Sequence, residues 1–297
     1  MFSTGPETHV YDNTDGSILV GIDGSPNAAI AAAWALAIGR RTNSPVKAVA
    51  VWTEHPPPQV PGVDDLASEG HSRTVDIATR SLHDAGLEGV EVTAVQGPVA
   101  EKLLDTAEAL SAAMLVVGTR GLGPLSGLLL GSISRRLLFT TDRPLVVVPC
   151  RSTPHPPVLS RVVVGVDCSM VAERVLSWSV AFCADVGVPA TIVRCADPGC
   201  ERPPGHVARV DDHVIAETEE AVRSFRDRGV EYSIVVAHCD PRVALLETAA
   251  SNEAGLIVVG RLGEGQFRGL GGTASYLVRH SPVPLAVILD SSGEAVP

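Results

Sequence analysis

The stretch "ILVGIDGSPNAAIAAAWALA", Ile18 to Ala37, runs from an unbroken apolar segment through a short turn into a pattern of helical period. It returns as "VVVGVDCSMVAERVLSWSVA", Val162 to Ala181, 144 residues later. A second stretch, "MLVVGTRG" from Met114, returns as "LIVVGRLG" from Leu256, 142 residues later. A repeat of this length indicates two similar domains rather than a solenoid of short units.

Apolar runs and helix-period stretches alternate within each half of the chain. In the first half the runs predict strands near 17–23, 46–52, 90–95, 113–118 and 144–149, and helices near 26–41, 64–86, 98–111 and 132–141. The strands are rich in β-branched residues and apolar almost throughout, as expected when helices cover both faces of a sheet. The alternation therefore predicts an α/β fold with a doubly wound, mostly parallel sheet in each half.

The boundaries of these domains follow from the repeat and from the segment between its copies. Residues 150–160 carry three prolines and no periodic apolar pattern, which is typical of a short, stiff linker. We predict a tail over 1–14, a first domain over 15–150, a linker over 151–159, a second domain over 160–290 and a tail over 291–297.

The charge of the chain restricts its partners. The formal net charge is −11, and both halves are acidic, with 10 basic against 16 acidic residues up to Cys150 and 13 against 18 beyond it. This balance argues against a nucleic-acid surface or an anionic-membrane patch, because both need clustered positive charge. We find no signal-peptide pattern at the N-terminus and no apolar run of membrane-spanning length, so we expect a cytoplasmic protein.

A glycine-rich loop, "GTRGLGPLSGLLLGS" from Gly118 to Ser132, joins the fourth predicted strand to the fourth predicted helix. Glycines before a helix let backbone N–H groups approach a phosphate, and the helix dipole favours negative charge there. Arg120, Arg135 and Arg136 would add positive charge. The alternative is a plain connecting loop. The sequence lacks G-x-x-x-x-G-K-[ST], and the loop does not match G-x-G-x-x-G, which argues against Walker-type and dinucleotide sites.

The loop matches G-x2-G-x9-G-[ST], and together with "VGIDGS" at the first strand it resembles the universal stress protein family. The resemblance covers nearly the whole chain as a tandem pair, in the style of the two-domain actinobacterial members. It implies two five-stranded sheets of order 3-2-1-4-5, with ATP at the point where the strand order reverses. It further implies that Asp23 contacts the ribose or adenine side and that the Val49 backbone contacts the adenine. The remaining implied ligands, mostly at the phosphates, are Gly21, Gly118, Thr119, Arg120, Gly121, Gly131, Ser132 and Ile133.

The second half departs from this pattern. From Gly263 only eight residues precede Gly272, and Glu264 adds a carboxylate beside the glycine, where like charge would repel phosphate. Arg261 and Arg268 would compensate, and Cys168 stands where the first half has Gly24. We therefore expect a weaker ATP site or a vestigial domain. The ligands implied here are Gly165, Asp167, Val193, Gly260, Gly263, Gly272 and Thr273.

The function expected from this resemblance is ATP binding in a stress-response or growth-regulating homodimer with an unknown signalling partner. The first loop contains no Asp, Glu, His or Lys, so we expect a protein that holds ATP, alone or with Mg²⁺, and is not an enzyme. The first alternative is a weak ATPase or a phosphoryl- or adenylyl-transfer enzyme. The second is a metal or redox sensor in the second half; its candidate ligands are Cys195, Cys200, His206, His213, His238 and Cys239. We expect no metal site, because this spacing is looser than that of zinc fingers.

Overall fold

The structure of the chain is a computed structural model. It describes residues 16–53, 66–119, 130–150, 159–167, 169, 171–196, 214–216, 218–262 and 270–289. The chain divides into two compact units, one over Gly16–Pro156 and the other from Pro157 onward. In the part that the structure describes, no helix has both the length and the apolar character needed to cross a bilayer.

The first unit alternates strands and helices from its first described residues. Its strands are β1 (Ile18–Ile22), β2 (Val46–Trp52), β3 (Val92–Gln96), β4 (Met114–Gly118) and β5 (Leu145–Val148). Its helices are α1 (Pro26–Thr42), α2 (Leu66–Asp84), α3 (Val99–Ala109) and α4 (Ser132–Thr140). The strands pair in the order β3-β2-β1-β4-β5, and every pair is parallel.

The second unit repeats this arrangement. Its strands are β6 (Val162–Val166), β7 (Ala190–Cys195), β8 (Tyr232–Ala237), β9 (Leu256–Gly260) and β10 (Leu285–Ile288). Its helices include α5 (Val171–Val186), α6 (Arg223–Asp227), α7 (Pro241–Ser251) and α8 (Gly272–His280). The order β8-β7-β6-β9-β10 is again wholly parallel. The predicted fold, two doubly wound sheets of order 3-2-1-4-5, is confirmed.

Helix α1 shows why these elements form. Ser25 caps its N-terminus by accepting a hydrogen bond from the Ala28 N–H at 3.2 Å, and Pro26 follows at the first helical position, where proline costs no hydrogen bond. Its inner face buries alanines and Trp34, which is 1% exposed. The equivalent Trp178 of α5 is also buried, at 3%. Both tryptophans therefore belong to the core of their domains.

Helices cover both faces of each sheet. In the first unit α1 contacts α2, and α3 contacts α4. A Cβ added to Gly21 of β1 would meet Leu103 of α3 at 3.3 Å, whereas one added to Gly118 of β4 would meet the backbone of Asn27 in α1 at 3.0 Å. The α1 layer and the α3 layer therefore lie on opposite faces, which is the usual arrangement around a doubly wound sheet.

Candidate nucleotide site

The sheet of the first unit splits where its strand order reverses. Strands β1 and β4 pair only from Ile18–Met114 to Val20–Val116. Beyond that point β1 continues beside β2 as far as Ile22, while β4 continues beside β5 as far as Gly118. The split opens a crevice at the carboxyl ends of the strands, which is where open α/β sheets bind ligands.

Asp23 lies on one side of this crevice, directly after β1. Its side chain is exposed, and its Oδ1 accepts a hydrogen bond from the Ser25 N–H at 2.9 Å. This bond closes a tight turn before α1, so Asp23 has a turn-forming role. The same bond also holds the carboxylate at the mouth of the crevice.

The N-terminus of α4 lies on the other side. The Gly131 N–H donates to the Thr119 carbonyl at 2.8 Å, and the Ser134 hydroxyl donates to the Gly118 carbonyl at 2.7 Å within the buried interior. The Thr119 N–H in turn donates to the Val148 carbonyl of β5 at 2.9 Å. These bonds fix the first turn of α4 against the carboxyl ends of β4 and β5.

The first turn of α4 is open to an anion as far as the described residues show. Gly131 occupies the N-cap position without a side-chain hydrogen bond, and the first turn holds no acidic residue. Ser132 and Arg135 are exposed there. By contrast, α1 is capped by Ser25. An uncapped helix N-terminus presents N–H groups and the positive end of the dipole, and both favour a phosphate.

Arg136 contributes less charge to this site than its position predicted. Its Nη2 lies 2.6 Å from the Glu101 carboxylate in the first turn of α3, and both side chains are about half exposed. Solvent screens such a pair, so it adds little stability, but it partly neutralises Arg136. The two residues are 35 positions apart, and only the contact between α3 and α4 joins them.

Gly118 is required by packing. It is buried, and an added Cβ would lie 3.0 Å from the carbonyl oxygen of Asn27, a backbone atom that cannot swing aside. Any larger residue at Gly118 would therefore push α1 away from β4. Loss of ligand binding in a Gly118 variant would not identify this glycine as a phosphate ligand.

Val49, for which an adenine contact is predicted, and its counterpart Val193 both lie within the paired strands of their sheets. Val49 is 1% exposed and lies in the middle of β2, with Gly21 and Thr93 as its neighbours in register. Val193 is 2% exposed and lies between Gly165 and Val235 in the same way. Backbone groups inside a paired sheet are already hydrogen-bonded. A backbone contact to adenine at either residue would have to be made beside these strand hydrogen bonds, and it stays a prediction.

A separate groove of about 520 Å³ lies between α1 and α2. Its lining includes Gly24, next to Asp23, and the exposed Ile77 of α2. A Cβ on Gly24, which has φ +82°, would approach the Ile77 side chain at 2.5 Å. The groove shares an end with the crevice but includes none of the predicted phosphate ligands.

The second unit reproduces the split sheet and its turn. Strands β6 and β9 pair only from Val162–Leu256 to Val164–Val258. The Asp167 carboxylate accepts hydrogen bonds from the backbone N–H and the hydroxyl of Ser169, as Asp23 does from the Ser25 N–H. The crevice and its acidic residue are therefore duplicated.

The residue that begins α8 lies one position before the one that the sequence motif pairs with the start of α4. The N–H of Gly271, and not that of Gly272, donates a hydrogen bond to the Arg261 carbonyl at 2.7 Å, and Arg261 is the residue directly after β9. Gly271 is also the N-cap residue of α8. Gly271 is thus the equivalent of Gly131. The sequence pairing of Gly272 with Gly131 is wrong, because the second loop is two residues shorter and not one.

This change of register alters the chemistry of the second site. Gly272 stands where the first unit has Ser132, so the hydroxyl at the start of the helix is missing, and Thr273 stands where the first unit has Ile133. Buried Ala274 replaces Ser134, which removes the hydroxyl that anchors α4. Gly260 is closely packed, as Gly118 is in the first unit, since an added Cβ would lie 3.0 Å from the Val171 side chain.

Several predicted residues lie outside the described part of the chain. They are Arg120, Gly121, Gly263, Glu264, Arg268, Cys168, Cys200, His206 and His213. Among the residues that the structure does describe, no group of three or more His, Cys, Asp and Glu side chains is placed to hold a metal ion.

A family model, the universal stress protein family, matches residues 16–149 and again residues 159–288. The chain belongs to the universal stress protein family. The predicted family and its tandem layout are confirmed. The chain is 29% identical to universal stress protein Rv1996 of Mycobacterium tuberculosis (strain ATCC 25618 / H37Rv) over 322 residues, covering 96% of this chain and 98% of that protein. It is 29% identical to universal stress protein Rv2623 of the same strain over 309 residues, covering 92% and 97%.

Among solved structures, a universal stress protein from Archaeoglobus fulgidus DSM 4304 aligns with a TM-score of 0.65 at 19% identity. The alignment covers 93% of this chain and 99% of that one. At this identity the likeness concerns the fold, and it agrees with the two split sheets described above.

Proposed function

We propose that this universal stress protein binds ATP, and that the crevice of its first domain is the principal site. The observation that carries the proposal is the split between β1 and β4, with the exposed Asp23 carboxylate on one side and the open first turn of α4 on the other. A phosphate at the helix N-terminus and a sugar hydroxyl at a carboxylate suit these two groups. The Gly118–Ser132 loop, which matches the family pattern, connects the strand to that helix.

The phosphate side of this site is proposed to consist of Gly121, Gly131, Ser132 and Ile133, with Thr119 and Arg120 at the start of the loop. Gly131 has φ −59° and ψ 149°, a conformation open to any residue, so its glycine is not required by the backbone. A glycine at such a position fits a place where a ligand approaches closely. If Mg²⁺ accompanies the nucleotide, the Asp23 carboxylate at the mouth of the crevice would be its protein ligand, and the phosphates would supply further oxygen ligands.

The second domain is proposed to bind ATP more weakly. Its loop is two residues shorter, Gly272 cannot supply the Ser132 hydroxyl, and Ala274 cannot supply the Ser134 anchor. A single charge-assisted phosphate contact contributes about 1.5–3 kcal/mol, so the loss of one weakens a site by about tenfold or more.

The first domain is proposed to hold ATP rather than to hydrolyse it rapidly. Rapid phosphoryl transfer needs a positioned base or water-orienting group and a held metal ion. The sequence from Gly118 to Ser132 contains no Asp, Glu, His or Lys to act as that base. We further propose a cytoplasmic homodimer acting on a signalling partner, on the strength of the family resemblance.

The proposal is tested by releasing and identifying nucleotide from the purified chain by denaturation, and by titrating the nucleotide-free chain with ATP. We expect ATP to bind and to remain intact for hours, with phosphate release close to background. A chain that carries no nucleotide and shows no heat of binding with ATP would contradict the proposal. Rapid phosphate release that one substitution in the crevice abolishes would instead establish the enzyme alternative.

A further inference from the structure

Two cysteines lie near each other at the carboxyl edge of the second domain. Cys195 is the last residue of β7 and stands in register with Ala237, the last residue of β8. The Ala196 N–H donates to the Ala237 carbonyl at 3.0 Å, so the two strands stay side by side to their ends. Cys239 follows Ala237 by two residues.

Cys195 faces the helix layer that the chain enters directly after Cys239. Val193 is the partner of Gly165 in register, and Gly165 lies beneath Leu245 of α7. Side chains two residues apart share a face of a strand, so Cys195 also faces α7. Cys239 stands immediately before Asp240, the N-cap residue of α7, so the chain at Cys239 turns into the layer that covers Cys195.

The geometry of the two strands gives an estimate of the span between the two residues. If β8 continued straight, the two α-carbons would be about 8 Å apart, from strand spacing and rise. A disulfide spans about 4.4–6.8 Å. Residues 238 and 239 are bends rather than strand, which shortens the advance along the strand direction. Closing a disulfide therefore requires the turn before α7 to move Cys239 toward Cys195.

The two thiols differ in their exposure to solvent. Cys239 is exposed, whereas Cys195 is half-buried. Burial raises the pKa of the Cys195 thiol to about 11, and the neighbouring Cys239 and Asp240 add to the rise. Arg242 pairs with Asp240, and the exposed His238 precedes Cys239. The first domain has Val51 and Gly97 at the equivalent positions. Among the described residues, the pair of cysteines at this edge therefore occurs only in the second domain.

We propose that Cys239 and Cys195 form a reversible disulfide when a hydroperoxide oxidises the chain. The Cys239 thiolate attacks the peroxide oxygen, gives a sulfenic acid and releases water or an alcohol. The Cys195 thiolate then attacks that sulfur and displaces hydroxide, which takes up a proton to leave as water. Two thiols lose two electrons and two protons, and the O–O bond of the peroxide receives them. The disulfide ties the end of β7 to the start of α7.

The experiment treats the full chain with hydrogen peroxide, blocks free thiols and maps tryptic peptides without reduction. Cleavage places Cys195 and Cys200 together in the peptide 195–209, and Cys239 in the peptide 229–242. Cys200→Ser is therefore the matched control. We expect the two peptides to be joined in the wild type and in Cys200→Ser, to be separated by dithiothreitol, and to remain unjoined in Cys195→Ser and Cys239→Ser.

Two further readouts keep the test independent of any one variant. Because the pKa of Cys195 is about 11, its thiolate fraction and the rate of disulfide closure should rise about tenfold per pH unit between pH 7 and 9. Circular dichroism of the serine variants checks that they fold. A link that persists in Cys195→Ser and vanishes in Cys200→Ser would overturn the proposal, as would oxidation of Cys239 to sulfinic acid with no linked peptide. None of these outcomes depends on ATP binding.

Discussion

Replacing Ser134 by alanine tests whether the buried hydroxyl positions α4, and with it the phosphate side of the crevice. The substitution removes the 2.7 Å hydrogen bond to the Gly118 carbonyl. A neutral hydrogen bond contributes about 0.5–1.5 kcal/mol net, and an acceptor left buried without a partner costs about 1–3 kcal/mol. Ser134 is 4% exposed, so water cannot readily replace the lost donor. We therefore expect the free energy of unfolding of the first domain to fall by about 1–3 kcal/mol.

The assay must report the first domain alone. The chain has three tryptophans, and Trp178→Phe leaves only Trp34 and Trp52, both in the first domain. Urea unfolding followed by their fluorescence then gives the free energy of unfolding of that domain. The control is Ser132→Ala in the same background, because Ser132 is exposed two positions away and its removal should change stability by less than about 0.5 kcal/mol.

The two serines should also differ in their effect on ATP. Ser132→Ala should weaken ATP binding without loss of stability, whereas Ser134→Ala should weaken it through a displaced helix and with loss of stability. If Ser134→Ala unfolded at the same urea concentration as the Ser132→Ala control, the hydrogen bond from Ser134 would not be what holds α4 against β4.

Two other outcomes are expected. Asp23→Asn keeps an oxygen for the Ser25 N–H, so it should weaken ATP binding in titrations while changing the melting temperature little; the reverse ranking would favour a purely turn-forming role. Burial raises the pKa of the Cys183 thiol from 9.0 to about 12, so this thiol stays neutral near pH 7. The stability that the neutral thiol contributes to the fold is therefore lost only as the pH rises from about 9 through 12. In timed iodoacetamide labelling at pH 8, Cys239 should react first, Cys195 more slowly and Cys183 only on unfolding; early labelling of Cys183 in the folded chain would count against its burial.

Much of the fold could be predicted because each element carries its own local signal. The strand at 46–52 and the helix starting at Pro26 were predicted at the observed bounds or within one residue, since the apolar run and the Ser25 cap are local features. The duplication supplied a second copy of each signal. The crevice followed from the strand order that the family resemblance implies, because the switch point of a doubly wound sheet is where its ligands bind.

The details of the site depended on contacts that sequence spacing does not show. Gly118 resembles a phosphate ligand in the motif, but the backbone of Asn27 also requires a glycine there. In the sequence Arg136 is a candidate cation for the loop, whereas in the fold α3 brings Glu101 into contact with it. The equivalence of Gly131 and Gly271 became visible only through their hydrogen bonds to Thr119 and Arg261, because adjacent glycines at 271 and 272 align equally well in sequence.

A calorimetric titration of the full chain with ATP shows which domain holds the principal site when Gly131→Val is compared with its matched control, Gly271→Val. Both glycines are N-cap residues with nearly the same backbone angles, φ −59° and ψ 149° against φ −59° and ψ 156°, so valine meets the same backbone requirement at each. We predict that Gly131→Val weakens the tight binding event by at least about tenfold and that Gly271→Val leaves it unchanged. Two equal and independent sites in the wild type, or a tight event that survives Gly131→Val and disappears with Gly271→Val, would contradict the assignment of the principal site to the first domain.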